Sequence, residues 1–140
     1  MIDPTDYSAC LQALFAAQPD VRFVFVAKSV GDLLAELGSK ADLEYSSVIE
    51  VAMRPESIQT FYEEILSYEL QDPGLVPRLY AQGRTNGVLA RPSDGLLVGV
   101  FADMPSDIYN SSPEDRVQWI SQYRARVWDS IKSVFPRNTA

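Results

Sequence analysis

The chain contains no histidine and one cysteine, Cys10. That excludes imidazole proton transfer, His/Cys metal sites and any disulfide within the chain. Carboxylates are the remaining candidates for chemistry, chiefly the neighbours Glu63 and Glu64 and the nearby acids Asp103 and Asp107. Adjacent acids on an exposed helix ordinarily keep it solvated. Acting on substrate would require a proton-transfer partner, which the pattern does not supply. Cys10 lies beside an apolar helical stripe with no base in sequence reach and reads as a small packing residue. The glycine-rich stretches GRTNG and RPSDG match neither the GxxxxGK[ST] phosphate loop nor the GxGxxG dinucleotide pattern, and both suit turns between strands. Arg84 and Arg91 could pair with a partner's carboxylates or simply make strands polar. Trp119, off the main apolar stripe of its helix, suits either an anchor for a contact or packing beneath the 103–112 loop. The expectation is a protein without catalytic residues, metal or cofactor.

The positions that hold these residues must fit into one domain, because 140 residues cannot supply two independent cores. Hydrophobic residues at 46% and charged residues at 22% are ordinary for a packed globule. Twelve basic against 19 acidic residues leave a net charge of -7, with the bases scattered, so nucleic acid is not an expected partner. The beginning MIDPTDYSAC has no basic region followed by an apolar run, and no apolar stretch approaches the roughly 18 residues of a membrane span. A cytoplasmic location without a membrane span is expected.

Thr5 or Asp6 can cap a helix from Tyr7 to about Gln18, with Leu11, Leu14 and Phe15 inward. VRFVFVAKS reads as a central strand, with Val21, Phe23, Phe25 and Ala27 on one face and Arg22, Val24, Val26 and Lys28 on the other. Gly31 and Asp32 then suggest a turn into a return strand, LLAEL, so that 21–37 forms a hairpin. Residues 45–53 suit either a helix opened at Asp42 or a strand. Beyond Pro55, the spacing of Ile58, Phe61, Tyr62, Ile65, Leu66 and Leu70 predicts a helix from about Glu56. Residues 77–103 divide into three strands, with Asn86-Gly87 as the strongest hairpin signal, Ser93-Asp94-Gly95 as a second turn and Gly99 permitting close packing. Ser112, Pro113, Glu114 and Asp115 start the last helix, whose core stripe is Val117, Ile120, Val127, Ile131 and Val134, widened by Tyr123, Trp128 and Phe135.

This order predicts an α/β sandwich, a five-stranded, mostly antiparallel sheet with the middle helix on one side and the terminal helices on the other. VRFVFVAKSVGDLLAELG looks like the opening hairpin of the Roadblock/LC7 family, and LYAQGRTNGVLARPSDGLLVGVFAD resembles its three-stranded meander. The chain thus resembles a single profilin-like Roadblock/LC7 domain over 1–140. The resemblance implies a noncatalytic module that forms homodimers or heterodimers through its central helix and a sheet edge, making a ten-stranded platform that recruits or regulates a small Ras-like GTPase or serves a scaffold in signalling. The implied dimer surface is Ile58, Phe61, Tyr62 and Ile65 with the edge strand Leu79, Tyr80, Ala81 and Gln82. A different reading is a type III secretion-like or assembly chaperone that holds an extended polypeptide, which a strand at 45–53 would favour.

Overall fold

A computed structural model describes residues 4–17, 20–38, 50–53, 61–93 and 95–135. The elements are α1 (Pro4–Ala17), β1 (Val21–Ala27), α2 (Val30–Gly38), β2 (Glu50–Met53), α3 (Phe61–Ser67), β3 (Arg78–Gln82), β4 (Thr85–Ser93), β5 (Leu96–Asp103), α4 (Ser106–Tyr109) and α5 (Pro113–Val134). The strands pair antiparallel in the order β2-β1-β5-β4-β3. The α/β class is as expected. Among the described residues no helix is long and apolar enough to cross a membrane.

Burial on both faces makes β1 and β5 the centre of the sheet. On one face Val24, Val26, Val88, Val98 and Val100 meet Leu11 and Leu14 of α1 and Tyr123, Val127 and Ile131 of α5. On the other, Phe23, Phe25, Leu89 and Phe101 meet Val30 and Leu33 of α2 and Phe61 and Ile65 of α3. The terminal helices therefore share one side and the middle helices the other. Each large side chain withdrawn from water in these layers contributes about 1.5–3 kcal/mol.

Several sequence expectations are corrected. The return strand of the opening hairpin is helix α2. Ser29 caps it, its Oγ accepting from Asp32 N–H at 3.1 Å, and Val30 and Leu33 bury one turn apart on its inner face. The partner that β1 was expected to find in LLAEL is β2, with Phe25 opposite Val51. Residues 50–53 of the ambiguous 45–53 segment are thus strand, and 45–49 lie outside the described residues. So do 56–60, where the middle helix was expected to start. That helix ends at Ser67, earlier than its apolar spacing suggests, because Glu69 takes a left-handed φ of 50°. Thr5 and Asp6 lie inside α1, which starts at Pro4.

The β3–β4 hairpin does not turn at Asn86-Gly87. Gln82 pairs with Thr85, so the loop is Gly83-Arg84, with Gly83 at φ 58° and Gly87 within β4. Gly87 is needed for a different reason. A Cβ there would lie 2.2 Å from the Phe101 ring, just as one at Gly99 would lie 2.3 Å from the Phe25 ring. At the second turn Gly95 has φ 74° as the turn reading requires, while Asp94 lies outside the described residues. A register shift in β1 between Val21 and Phe23 turns Val21 to the face of Val24 and breaks the expected alternation. In α5, Ser112 Oγ accepts from Asp115 N–H and Pro113 opens the helix as expected. Tyr123, Val127 and Ile131 form its buried stripe, whereas Val117 is 66% exposed. It lies six residues before Tyr123, about 120° around the helix from that residue.

Candidate functional site

Phe61 and Ile65 bring the expected dimer helix down onto Phe23 and Phe25 and are 1% and 0% exposed, so they hold α3 to its own sheet. The Phe23 and Phe61 rings meet edge to face at 4.9 Å between centroids. Tyr62 lies in the same helix, and Ile58 falls outside the described residues. Leu66, on the outer side of α3, is exposed. Among the described residues of the expected dimer surface, the exposed ones are Leu79, Ala81 and Gln82 of β3.

β3 is a terminal strand of the sheet, and four of its five residues are exposed. Its two-residue loop closes on the Gln82–Thr85 pair, so hydrogen-bonded pairs fall at Gln82, Tyr80 and Arg78. By alternation, the N–H and C=O groups of Leu79 and Ala81 point away from β4. Leu79, 43% exposed, stands beside Val88 on the α5 side of the sheet. Tyr80 faces the other way, half-buried against Phe101 and Tyr68, and its hydroxyl accepts from Gln71 N–H at 3.0 Å. Ser67 Oγ lies 3.0 Å from Gln82 Oε1, linking the end of α3 to the same strand. Glu69, Gln71, Pro77, Arg78, Leu79 and Tyr80 line a shallow cleft of about 420 Å³ along it.

The loop entering β3 is anchored firmly. Asp72 Oδ1 accepts from Val30 N–H and from Arg91, each at 2.9 Å, and Arg91 also donates to Lys28 O at 3.0 Å. Arg91 thus ties α2, β4 and the loop together instead of projecting toward a partner. Arg84, in the β3–β4 turn, is exposed but its Nε donates to Met104 O at 2.8 Å. Trp119 is half-buried and stacks on Tyr123 with centroids 5.0 Å apart, which makes it a packing residue of α5. Tyr123 is buried, with its hydroxyl 3.0 Å from Val100 O and 3.2 Å from Asn86 O. Burial pushes its pKa up.

A polar cluster closes the opposite flank of α3. Arg22, at the β1 register shift, ion-pairs with Glu64 and reaches Thr85 Oγ1 at 3.3 Å and Asp103 at 3.8 Å. Thr85 Oγ1 donates to Asp103 Oδ1 at 2.7 Å, and Tyr68 O–H to Glu64 at 3.5 Å. Burial raises the Glu64 pKa, and the Arg22 guanidinium only partly offsets it. Burial, then the neighbouring Glu64 charge, pushes Tyr68 up to about 12. Glu63 is exposed beside this cluster, and Asp107 is exposed on α4. Among the described residues no three or more acids and cysteines are placed to hold a metal ion. Cys10 is half-buried against the terminal-helix layer, with its Sγ 3.2 Å from Val134 O. The cluster's acids are engaged with Arg22 and Thr85, so its evident work is to fasten α3 to three strands.

Sequence reasoning singled out Leu79 and Tyr80 but missed Arg22, Asp72, Leu75 and Val76. The last two form an apolar pair between Gly74 and Pro77, in a loop where solvated residues are the rule, and that contrast was a readable signal. Arg22 carried none, because a register shift re-aims it. No protein-family model, curated protein or solved structure matches the chain.

Proposed function

We propose that the chain is a noncatalytic interaction module that self-associates through the free edge of β3. One observation carries the reading: an edge strand in unbroken register with β4 that presents two outward pairs of N–H and C=O groups beside exposed Leu79. An edge strand with unpaired outward N–H and C=O groups invites another strand. Antiparallel pairing of two copies about Tyr80 sets Leu79 against the partner's Ala81, and satisfies all four outward N–H groups of the two strands. The pairing is isologous and closes as a two-fold dimer. The Roadblock/LC7 resemblance adds a small Ras-like GTPase or a scaffold protein as the partner of the joined surface. It rests now on the meander and the layer order, since its opening hairpin is strand and helix.

The test is the mass of the protein in solution, by light scattering, with Ala81→Pro as the variant. Proline at this outward position removes an N–H that β4 does not use, so the domain should fold while the dimer is lost. A wild-type chain that stays monomeric at high concentration rejects the reading. Nucleotide-selective capture of a GTPase, with GDP against a nonhydrolysable GTP analogue, tests the partner class separately.

A second reading draws on β2, since a strand within 45–53 favours the chaperone alternative, and β2 supplies one at Glu50–Met53. In it, a dimeric α/β surface of the chain holds an extended segment of another protein.

A further inference from the structure

Leu75 is fully exposed and Val76 is 75% exposed, and no described residue of the chain covers them. Their loop is nevertheless held at both ends. Pro73 is buried, Asp72 bonds to α2 and Arg91, Arg78 Nε donates to Asp72 O at 3.2 Å, and Tyr80 holds Gln71. An anchored loop that displays two adjacent apolar side chains is a binding element, since their exposure gains nothing for the isolated chain.

The occupant follows from size and register, and rests on the proposed self-association through β3. A five-residue strand is only about 17 Å long. Pairing two of them cannot by itself supply the roughly 1,200 Å² that specific interfaces bury, so flanking surface must join. With Tyr80 on the two-fold axis, Arg78 lies opposite the partner's Gln82. Beyond that pair both chains leave strand geometry, and the loop ending at Pro77 lies next to the partner's Gly83–Arg84 turn. That turn is receptive: a Cβ on Gly83 would have nothing within 4 Å, and the Arg84 side chain, held by its Nε on Met104 O, offers an aliphatic stem.

We infer that Leu75 and Val76 form a clamp that closes over the Gly83–Arg84 turn of a second copy of this chain, one clamp at each end of the paired strands. The clamp supplies apolar burial that the strand pair lacks, and makes the Asp72-anchored loop part of the dimer.

The experiment is sedimentation equilibrium on the full chain, comparing wild type with Leu75→Ser/Val76→Ser, and with Val117→Ser as a control at an exposed apolar site on α5. The expected result is a dimer dissociation constant raised at least tenfold in the double variant, no change in the control, and the same melting temperature for all three under conditions where they are monomeric. If the double variant dimerises with the wild-type constant while Ala81→Pro does not dimerise, the clamp is overturned and strand pairing stands. If the wild type is monomeric throughout, strand pairing and the clamp fall together.

Discussion

Phe101 and Phe25 lie flat against the sheet because Gly87 and Gly99 leave room for their rings. The result is an aromatic layer in which Phe23 and Phe101 stack at 4.9 Å and Tyr68 tilts against Phe101 at the same separation. An alanine at 87 would place its Cβ against three atoms of one ring, all closer than 3.0 Å, in a space bounded by backbone and other aromatics. Gly87→Ala should therefore lower stability by about 1–3 kcal/mol, as overpacking does. Gly83→Ala makes a useful comparison: it meets no atom within 4 Å but must adopt φ 58°, at a cost of about 1–2 kcal/mol. Urea denaturation should show a lower midpoint for both. A Gly87→Ala protein as stable as wild type would refute the ring-over-glycine account. The sequence pointed the wrong way at Asn86-Gly87 because a turn signal is local, whereas the demand on Gly87 comes from a ring on the neighbouring strand. Gly99 was legible, since a glycine inside an otherwise apolar strand has few uses besides close approach.

Helix α2 is where local chemistry could have been read two ways. Gly31 and Asp32 are good turn residues, but Ser29 followed three residues later by Asp32 is also a helix start, and Val30, Leu33 and Leu34 share a helical face. The cap is real: Ser29 Oγ takes Asp32 N–H, and Asp72, distant in sequence, takes Val30 N–H. That second acceptor was not legible, because only the folded chain brings the 72–77 loop to the start of α2. Ser29→Ala should cost about 1 kcal/mol in urea unfolding. Asp72→Ala should cost more, since it removes an acceptor from α2 and also the ion-pair partner of Arg91. Equal losses in the two variants would mean that Asp72 contributes only as an acceptor and that its pairing with Arg91 is worth nothing. The central strands, by contrast, were readable apart from the β1 register shift at Val21, because burial on both faces writes itself as nearly continuous apolar sequence in β1 and β5.

Across the whole molecule, the layers on the two sides of the sheet are fastened differently. The terminal helices rest on a largely apolar face in which the Tyr123 hydroxyl finds backbone acceptors and the buried Asn86 donates to Arg84 O. The α3 side has in addition the charged cluster in which Glu64 faces Arg22 of β1, Thr85 of β4, Asp103 of β5 and Tyr68 at the end of its own helix. Burial disfavours the Glu64 anion more than Arg22 favours it, so the folded chain holds the proton more tightly than the unfolded chain does. The sign follows. A carboxyl whose folded pKa is raised contributes stability that is complete below its unfolded value and is lost as pH rises through the folded value. Glu64→Gln is permanently neutral and lacks this dependence. The melting temperature of wild type relative to Glu64→Gln should accordingly be highest below the ordinary carboxylate range and fall as pH rises above it. A difference that instead grows with pH would show that the Arg22 ion pair outweighs desolvation, and would make the cluster a net source of stability at neutral pH rather than a cost carried by the position of α3.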